Sequence, residues 1–515
     1  MSDINKTLEL VRAAMKAQLS PDQIAKAAGW LQSASATSGI TYYDLQAPAL
    51  QLYPVLTPLR NTTPRVVAGM GIQANWRAIT GVNVTSQKLG VSQGKRGAAV
   101  EHSTADYLAA FRGYGLDDFV NFEADWAAQG FDDAKALAVE GLLRSVMIGE
   151  EQIMLGGNTS LALGTANTPT VTADAETTST CTNGSVTVKV VGLGYQGYWS
   201  LAGYNNGATG QTLNLATAEP GTVALATKTN MDGTTDQYNG GVGQISAASA
   251  AATIDATHKG ATATVTPKPG EFAWAWYVQT AGTGGNYYLY AITTVNKVKI
   301  SVDSVTTTQP HANLSADHST CALEFDGYLT LAVNGSLGGY WKALGAGAQL
   351  TTDSAGGCTE LNALFQDRWN KYRLSPDEIH LNAEQLVDLN ALVIKNGGAP
   401  LVRFPVDASR DEQVAAINAG VSVKSVLNKI TNTQVKVAVH PNVPPGCIFA
   451  RATQIPYKLS GVSSLYRMLL RQDYYQIAWP VVTRRWEYGV YADGVLQHFF
   501  PPALAAITNI TPGIA

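Results

Sequence analysis

The sequence predicts an α+β fold with an all-β sandwich inserted into it. Three observations carry that expectation. Near Leu161 the composition changes abruptly, and a charge-poor stretch rich in Thr, Ala, Gly and Ser runs to about Thr320. Within that stretch, short alternating runs separated by Gly- and Asn-rich turns read as antiparallel strands of an immunoglobulin or fibronectin type of sandwich. On both sides, helical periodicities alternate with strands, so the sandwich interrupts one α+β body instead of trailing it.

Length and charge narrow the function classes. The chain has 515 residues, about three units on a loose prior of roughly 150 residues per domain. Lys+Arg 35 against Asp+Glu 39 gives a net charge of −4, too little basic charge to drive binding to nucleic acid or an anionic membrane. At 45% hydrophobic the chain can bury enough apolar surface to fold. Only 14% of residues are charged, against roughly 25% in average soluble domains. A large surface so poor in charge is expected to lie against neighbours or to be covered by Ser, Thr, Asn and Gly, which suggests an assembly subunit. Cys181, Cys321, Cys358 and Cys447 are far apart, with no C-x-x-C and no adjacent histidines, so buried reduced thiols are expected. The start, MSDINKTLELVRAAMK, lacks the apolar run of a signal peptide. No segment approaches the roughly 20 apolar residues of a membrane span. A cytoplasmic origin without a membrane partner is the expectation.

Residues 1–64 read as two short helices followed by an arm. Leu8, Leu10, Val11, Ala14 and Met15 recur at helical spacing, and Ser20-Pro21-Asp22-Gln23 supplies a cap for the second helix. No basic face accompanies the pair, so DNA reading is not expected. From Ser33 to Pro64 the chain is punctuated by Pro48, Pro54, Pro58 and Pro64 and is expected to be extended. Residues 65–112 read as a long β-hairpin with a Gly-, Ser- and Lys-containing tip, which has little core of its own and needs something to lie on. Residues 113–160 hold a spine helix, within a stretch from Tyr107 to Met154 expected to be mainly helical. Asp132 and Asp133 start that helix, Gly156-Gly157-Asn158 ends it, and about 24 residues give it roughly 36 Å.

The insert spans 161–322, with strands expected at 185–191, 222–226, 261–266, 273–278, 287–293 and 297–302. Over 323–462 the pattern is α/β: a strand at 325–333, a helix at 359–372, a strand at 377–382, a helix at 383–395, then strands at 435–441 and 447–452. Residues 463–515 close the chain with strands over 463–499, where Arg485 and Glu487 share one face and Trp486 and Tyr488 the other.

Motifs for chemistry fail on their own terms. Gly69-Met70-Gly71-Ile72-Gln73-Ala74 matches a dinucleotide outline, but β-rich sequence follows where a helix should open. Gly94-Lys95-Arg96 lacks the hydroxyl a phosphate loop needs, so Lys88, Lys95 and Arg96 read instead as a basic hairpin tip facing acidic groups on a neighbour. Asp117-Asp118, Asp132-Asp133 and Glu150-Glu151 are adjacent pairs that diverge on a helix, and are expected to be caps and solvated faces. The seven histidines form no metal-spaced pair, and no G-x-S-x-G elbow occurs. No catalytic, cofactor-binding or metal-ligating residue is proposed, and a non-enzymatic role without cofactors is expected.

The order of arm, hairpin, spine helix, α/β region and closing strands resembles the major capsid proteins of tailed bacteriophages, the Hong Kong-97-type fold also used by encapsulin shells. AAFRGYGLDDFV (109–120) is similar to that family's return from the hairpin, or E-loop, into the peripheral domain, and VMIGEEQIMLGGN (146–158) to the end of its spine helix. FDGYL (325–329), DEIHLNAEQLVDLNALV (377–393) and TRRWEYGVYADGVLQHFFPPALAAI (483–507) resemble its chain return, axial strand–helix and closing peripheral strands. The resemblance implies a homo-oligomer of pentamers and hexamers forming a phage head around DNA, touching the genome without sequence-specific contacts. It further implies a virion location after synthesis in the host cytoplasm, with a portal and a separate scaffolding protein as partners. Lys88, Lys95, Arg96, Arg485 and Glu487 are the expected intersubunit contacts. The insert is expected to project outward and to be removable (165–318) with some assembly retained, whereas losing 75–100 should abolish assembly. An encapsulin-type shell, or a secreted β-sandwich adhesin or carbohydrate-active protein, are the alternatives.

Overall fold

A computed structural model describes residues 57–82, 90–97, 102–128, 133–175, 178–201, 219–304, 306–354, 357–395, 423–455 and 464–513. The expected N-terminal helices, most of the expected arm, and Lys88 lie outside them. The described residues form two compact units. The smaller comprises 118–128, 133–141 and 478–488, and the larger holds the remainder.

The larger unit begins with helix α1 (Pro58–Thr62), strand β1 (Arg65–Val67) and the hairpin strands β2 (Gln73–Val82) and β3 (His102–Ala110). Strand β4 (Arg112–Asn121) leads to helix α2 (Phe122–Ala128) and the spine helix α3 (Ala134–Gly156). The Asp133 side chain caps α3 by accepting from the amides of Lys135 and Ala136. Two expectations change here. Pro58–Thr62 is helical where an extended arm was expected, and 107–121 is strand where helix was expected. In both cases distant partners decide. The central strands β19 (Tyr466–Ala478) and β20 (Arg485–His498) complete a four-stranded sheet in the order β1-β19-β20-β4.

The insert contributes two antiparallel sheets. One has the order β13-β10-β5, from Lys297–Ile300, Gly260–Thr264 and Thr170–Asp174. The other has the order β12-β11-β6-β9, from Tyr288–Thr293, Ala273–Gln279, Gly184–Leu193 and Ala252–Ile254. Helix α4 (Tyr195–Leu201), helix α5 (Pro220–Ala224) and a two-stranded β7–β8 ribbon (Leu225–Thr229, Thr235–Asn239) complete it. The strand expected at 222–226 is therefore mostly helix, started by Pro220 at its first position.

Alternation along β6 and β11 shows what this insert is. Val186, Val188, Val190, Trp274, Trp276 and Val278 pack into a core shared by the two insert sheets. The intervening Val191, Leu193, Ala273, Ala275 and Tyr277 pack on the opposite face, into the main core with Met154, Leu155, Tyr328 and Phe449. The central insert sheet is thus buried on both faces. Instead of projecting as a detachable module, it forms a wall of the main core.

Beyond the insert, helix α6 (Tyr328–Val333) occupies the place of the strand expected at 325–333. Gly327, just before it, approaches the spine so closely that a Cβ would lie 2.7 Å from the Ile153 carbonyl oxygen and 2.8 Å from the Gly156 nitrogen. Helices α7 (Thr359–Tyr372) and α8 (Ala383–Lys395) fall where the periodicity put them. A mixed six-stranded sheet runs β14-β21-β18-β15-β17-β16, from Tyr340–Ala343, Leu504–Thr508, Ile448–Arg451, Glu378–Leu381, Thr433–Val439 and Ser425–Asn428. All four cysteines are buried and unpaired with one another. Among the described residues no helix is long and apolar enough to cross a membrane.

Candidate functional site

Strands β2 and β3 form a two-stranded sheet of their own, in register from Gln73 opposite Ala110 to Val82 opposite His102, with a shift between Ile79 and Gly81. Ala74, Trp76, Tyr107 and Ala109 occupy the covered face, while Gln73, Asn75, Arg77, Asp106 and Leu108 face outward. The outer face carries a cross-strand ion pair, Arg77 Nε to Asp106 Oδ1 at 2.6 Å, with both side chains 69% exposed. Leu108 is 71% exposed, and near the hairpin base Met70 and Ile72 reach 92% and 83%. At the tip, every residue of 90–97 is exposed, and the Lys95 amide donates to the Ser92 carbonyl across a turn in which Gly94 has φ +80°. Lys95 and Arg96 sit on this turn without an ion pair among the described residues. A ribbon with one bare face and a bare tip cannot be held up by its own contacts.

The hairpin root, in contrast, is fastened. Trp76 Nε1–H donates to the backbone oxygen of His498, whose ring stands edge-on to those of Trp76 and Tyr107, while these two are tilted 31° to each other; the three centroids lie 4.7 to 6.0 Å apart. Burial pulls the His498 imidazole down to about 4, against a smaller opposing effect of Asp326.

A buried charge cluster is built on the end of α3. Glu150 accepts from Arg60 Nε at 3.0 Å, Arg65 Nη1 at 2.7 Å, the Tyr114 hydroxyl at 2.5 Å and the Tyr474 hydroxyl. Glu151 accepts from the amides of Leu59 at 2.9 Å and Arg60 at 2.7 Å, and from His440 Nε2 at 2.7 Å. Both carboxylates are fully enclosed. Glu151 therefore supplies, from 92 residues away, the acceptor for the free amides at the start of α1. Arg65 also holds Asp473 at 2.6 Å; burial opposes its charge, but Asp473 and Glu150 keep its pKa above the ordinary arginine value. Burial and then the Glu150 charge push the Tyr114 phenol well above its usual value. Four segments meet on two carboxylates: the 57–67 segment, the hairpin return, β19 and the turn after β17.

This cluster corrects the expectation that Glu150-Glu151 is a solvated pair. The available signal was the apolar residues on both sides, Val146, Met147 and Ile148 before and Ile153, Met154 and Leu155 after, which make a solvated face at this turn untenable. Among the residues expected at contacts between subunits, Arg485 and Glu487 pair with each other at 2.5 Å on β20, and Arg485 lies over the Phe119 ring. In the same smaller unit, Lys135 reaches Asp125 at 2.9 Å and stacks over Trp486, while Trp126 and Val482 stand 75% and 89% exposed. Gly69–Ala74 runs into β2 and opens no helix.

Solved structures resemble this chain over much of its length. The chain is similar to the capsid of Myoviridae phage XM1, with 8% identity and a TM-score of 0.37, covering 90% of this chain and 99% of that one. It is similar to the capsid of a native GTA particle at 8% identity and a TM-score of 0.40, covering 95% and 98%. An encapsulin complex from Synechococcus elongatus aligns over only 36% of this chain and 57% of its own, at 14% identity and a TM-score of 0.23. No protein-family model matches, and no curated protein matches.

Proposed function

We propose that this chain is a structural subunit of a tailed-phage head, a major capsid protein that assembles with copies of itself into a closed shell around DNA. The observation that carries this reading is the β2–β3 hairpin. It is clamped at its root by Trp76, Tyr107 and His498, yet its described outward side chains and residues 90–97 are bare, as a strap that lies on a neighbouring copy must be. The charge-poor composition supports the same reading, because the cores of large subunit contacts are depleted in charge. Pentamers and hexamers are the assembly units. Lys88, Lys95 and Arg96 meet acidic groups of the next subunit, and the Arg485–Glu487 strand contributes a second contact. A portal and a separate scaffolding protein complete the partners, the DNA is enclosed without sequence-specific contacts, and the protein is made in the host cytoplasm before joining the virion.

Electron microscopy of the purified protein tests the reading. Closed shells hundreds of ångströms across are expected from the intact chain, and soluble unassembled subunits from a chain in which residues 78–105 are replaced by a short turn. Shells formed equally well without the hairpin would sink it.

A further inference from the structure

His498 is the last residue of β20 and only 6% exposed, and its Nδ1 has no hydrogen-bond partner. Its ring stands edge-on to Tyr107 at 4.7 Å and to Trp76 at 5.4 Å, the two large side chains by which the hairpin rests on the body. The nearby charge is Asp326, but that carboxylate is committed elsewhere: its Oδ1 accepts from the Thr159 amide, the Thr159 hydroxyl and the Ser160 amide. Among the described residues of the hairpin, the titratable neighbour is Tyr107, whose phenol burial pushes upward and so keeps neutral. On the adjoining β19, Arg467 is engaged by Gln497 and lies over the Phe499 ring. An imidazolium at this place would be a buried cation with an unpaired Nδ1–H, facing a carboxylate whose Oδ1 already accepts three hydrogen bonds, a state that proteins avoid by rearranging.

We infer that the hairpin root is an acid-releasable joint, in which protonation of His498 lifts β2 and β3 off the body while the remainder of the larger unit stays folded. The purpose of such a joint rests on the strap reading, since a releasable root lets the hairpin be repositioned on a neighbour. The joint itself can be tested without assembly.

The sign follows from linkage. The folded imidazole titrates near 4 and the released one near 6.5, so the closed root is fully favoured above about 6.5 and loses its advantage as pH falls towards 4. Between pH 7.5 and pH 5 the opening equilibrium should rise roughly 30-fold. Hydrogen exchange of the unassembled full-length chain, corrected for the intrinsic pH dependence of exchange, reads this directly. Amides of 73–82 and 102–110 should lose protection by about that factor at pH 5, while those of β6 and β11 should not. His498→Gln and His498→Phe, neutral at both pH values, should show no such change; two variants guard against one that fails to fold. Equal acid loss in wild type and the folded variant, or none in wild type, would overturn the joint. Shell formation at pH 7.5, scored separately by microscopy, reports on the strap reading alone.

Discussion

His440 Nε2 stands 2.7 Å from Glu151 Oε1, and neither side chain is exposed. The Asn442 amide donates to His440 Nδ1 at 3.1 Å, which fixes Nε2 as the protonated nitrogen and makes it the donor to the carboxylate. Glu151 is thus a buried carboxyl group held by three donors: one imidazole and two amides of α1. This pair ties the turn after β17 to the end of helix α3 and to helix α1.

Removing this acceptor should be costly. Glu151→Ala leaves two amides and an imidazole N–H without an acceptor, and Glu151→Gln turns an NH2 group towards N–H donors. Each should lower stability by about 3–5 kcal/mol, as breaking a buried ionic network does. Urea denaturation of unassembled subunits measures this; a loss below about 1 kcal/mol would mean that the cluster relaxes or hydrates.

Two arginines of similar chemistry should behave oppositely. Arg65 bridges Glu150 and Asp473 with only 18% of its side chain exposed, so Arg65→Ala removes one of the two guanidinium partners of an enclosed carboxylate. Arg77 pairs with Asp106 in open solvent. Arg77→Ala should leave the thermal midpoint of the subunit unchanged, while Arg65→Ala should lower it by several degrees. Equal midpoints for both variants would contradict the burial argument.

The hairpin tip offers a protease test of assembly. Lys95-Arg96 lies on a fully exposed turn flanked by Gly94 and Gly97. Trypsin should nick unassembled subunits there first, and shells should resist at that site because a neighbour covers it. Identical cleavage rates in the two forms would place the tip away from any contact.

How much of this was legible in the sequence depends on the range of the deciding contacts. Helices α7 and α8 declared themselves because their apolar faces repeat locally, and the hairpin because its side chains alternate around a glycine-containing tip. Helix α1 did not, since its cap is Glu151, far along the chain. Nor did α6, whose start is dictated by the close approach of Gly327 to the spine. The insert was legible as β-structure from its composition but not in its role. The alternation in β6 and β11 is apolar on both faces, Val190 with Val191 and Trp274 with Ala275, and that double burial was the overlooked sign of a second core.

That double burial reverses an expectation about deletion. Removing 165–318 strips Val191, Leu193, Tyr195, Trp199, Ala275 and Tyr277 from the main core, along with the Trp199 Nε1 hydrogen bond to the Asn442 carbonyl. The shortened chain should be insoluble or lack a cooperative unfolding transition. A soluble, cooperatively folding product would show that the insert is separable after all.

The junction between insert and body should also respond to pH, in a direction opposite to the hairpin root. Glu324, on the segment returning from the insert, receives one side-chain hydrogen bond, from Gln196 of α4. Burial raises its carboxyl to about 7, with the Gln196 amide opposing the shift. A carboxyl whose folded pKa exceeds its unfolded value of 4.5 stabilises the fold fully below about 4.5, and that contribution disappears as pH rises through about 7. Glu324→Gln removes the titration and keeps the shape. Relative to that variant, wild type should therefore be more stable at pH 5 than at pH 8, as read from urea midpoints at the two pH values. Taking the difference between the two proteins cancels the acid response of His498, which both retain. An offset that does not change with pH would mean that Glu324 stays ionised in the fold, held by a cation or by water.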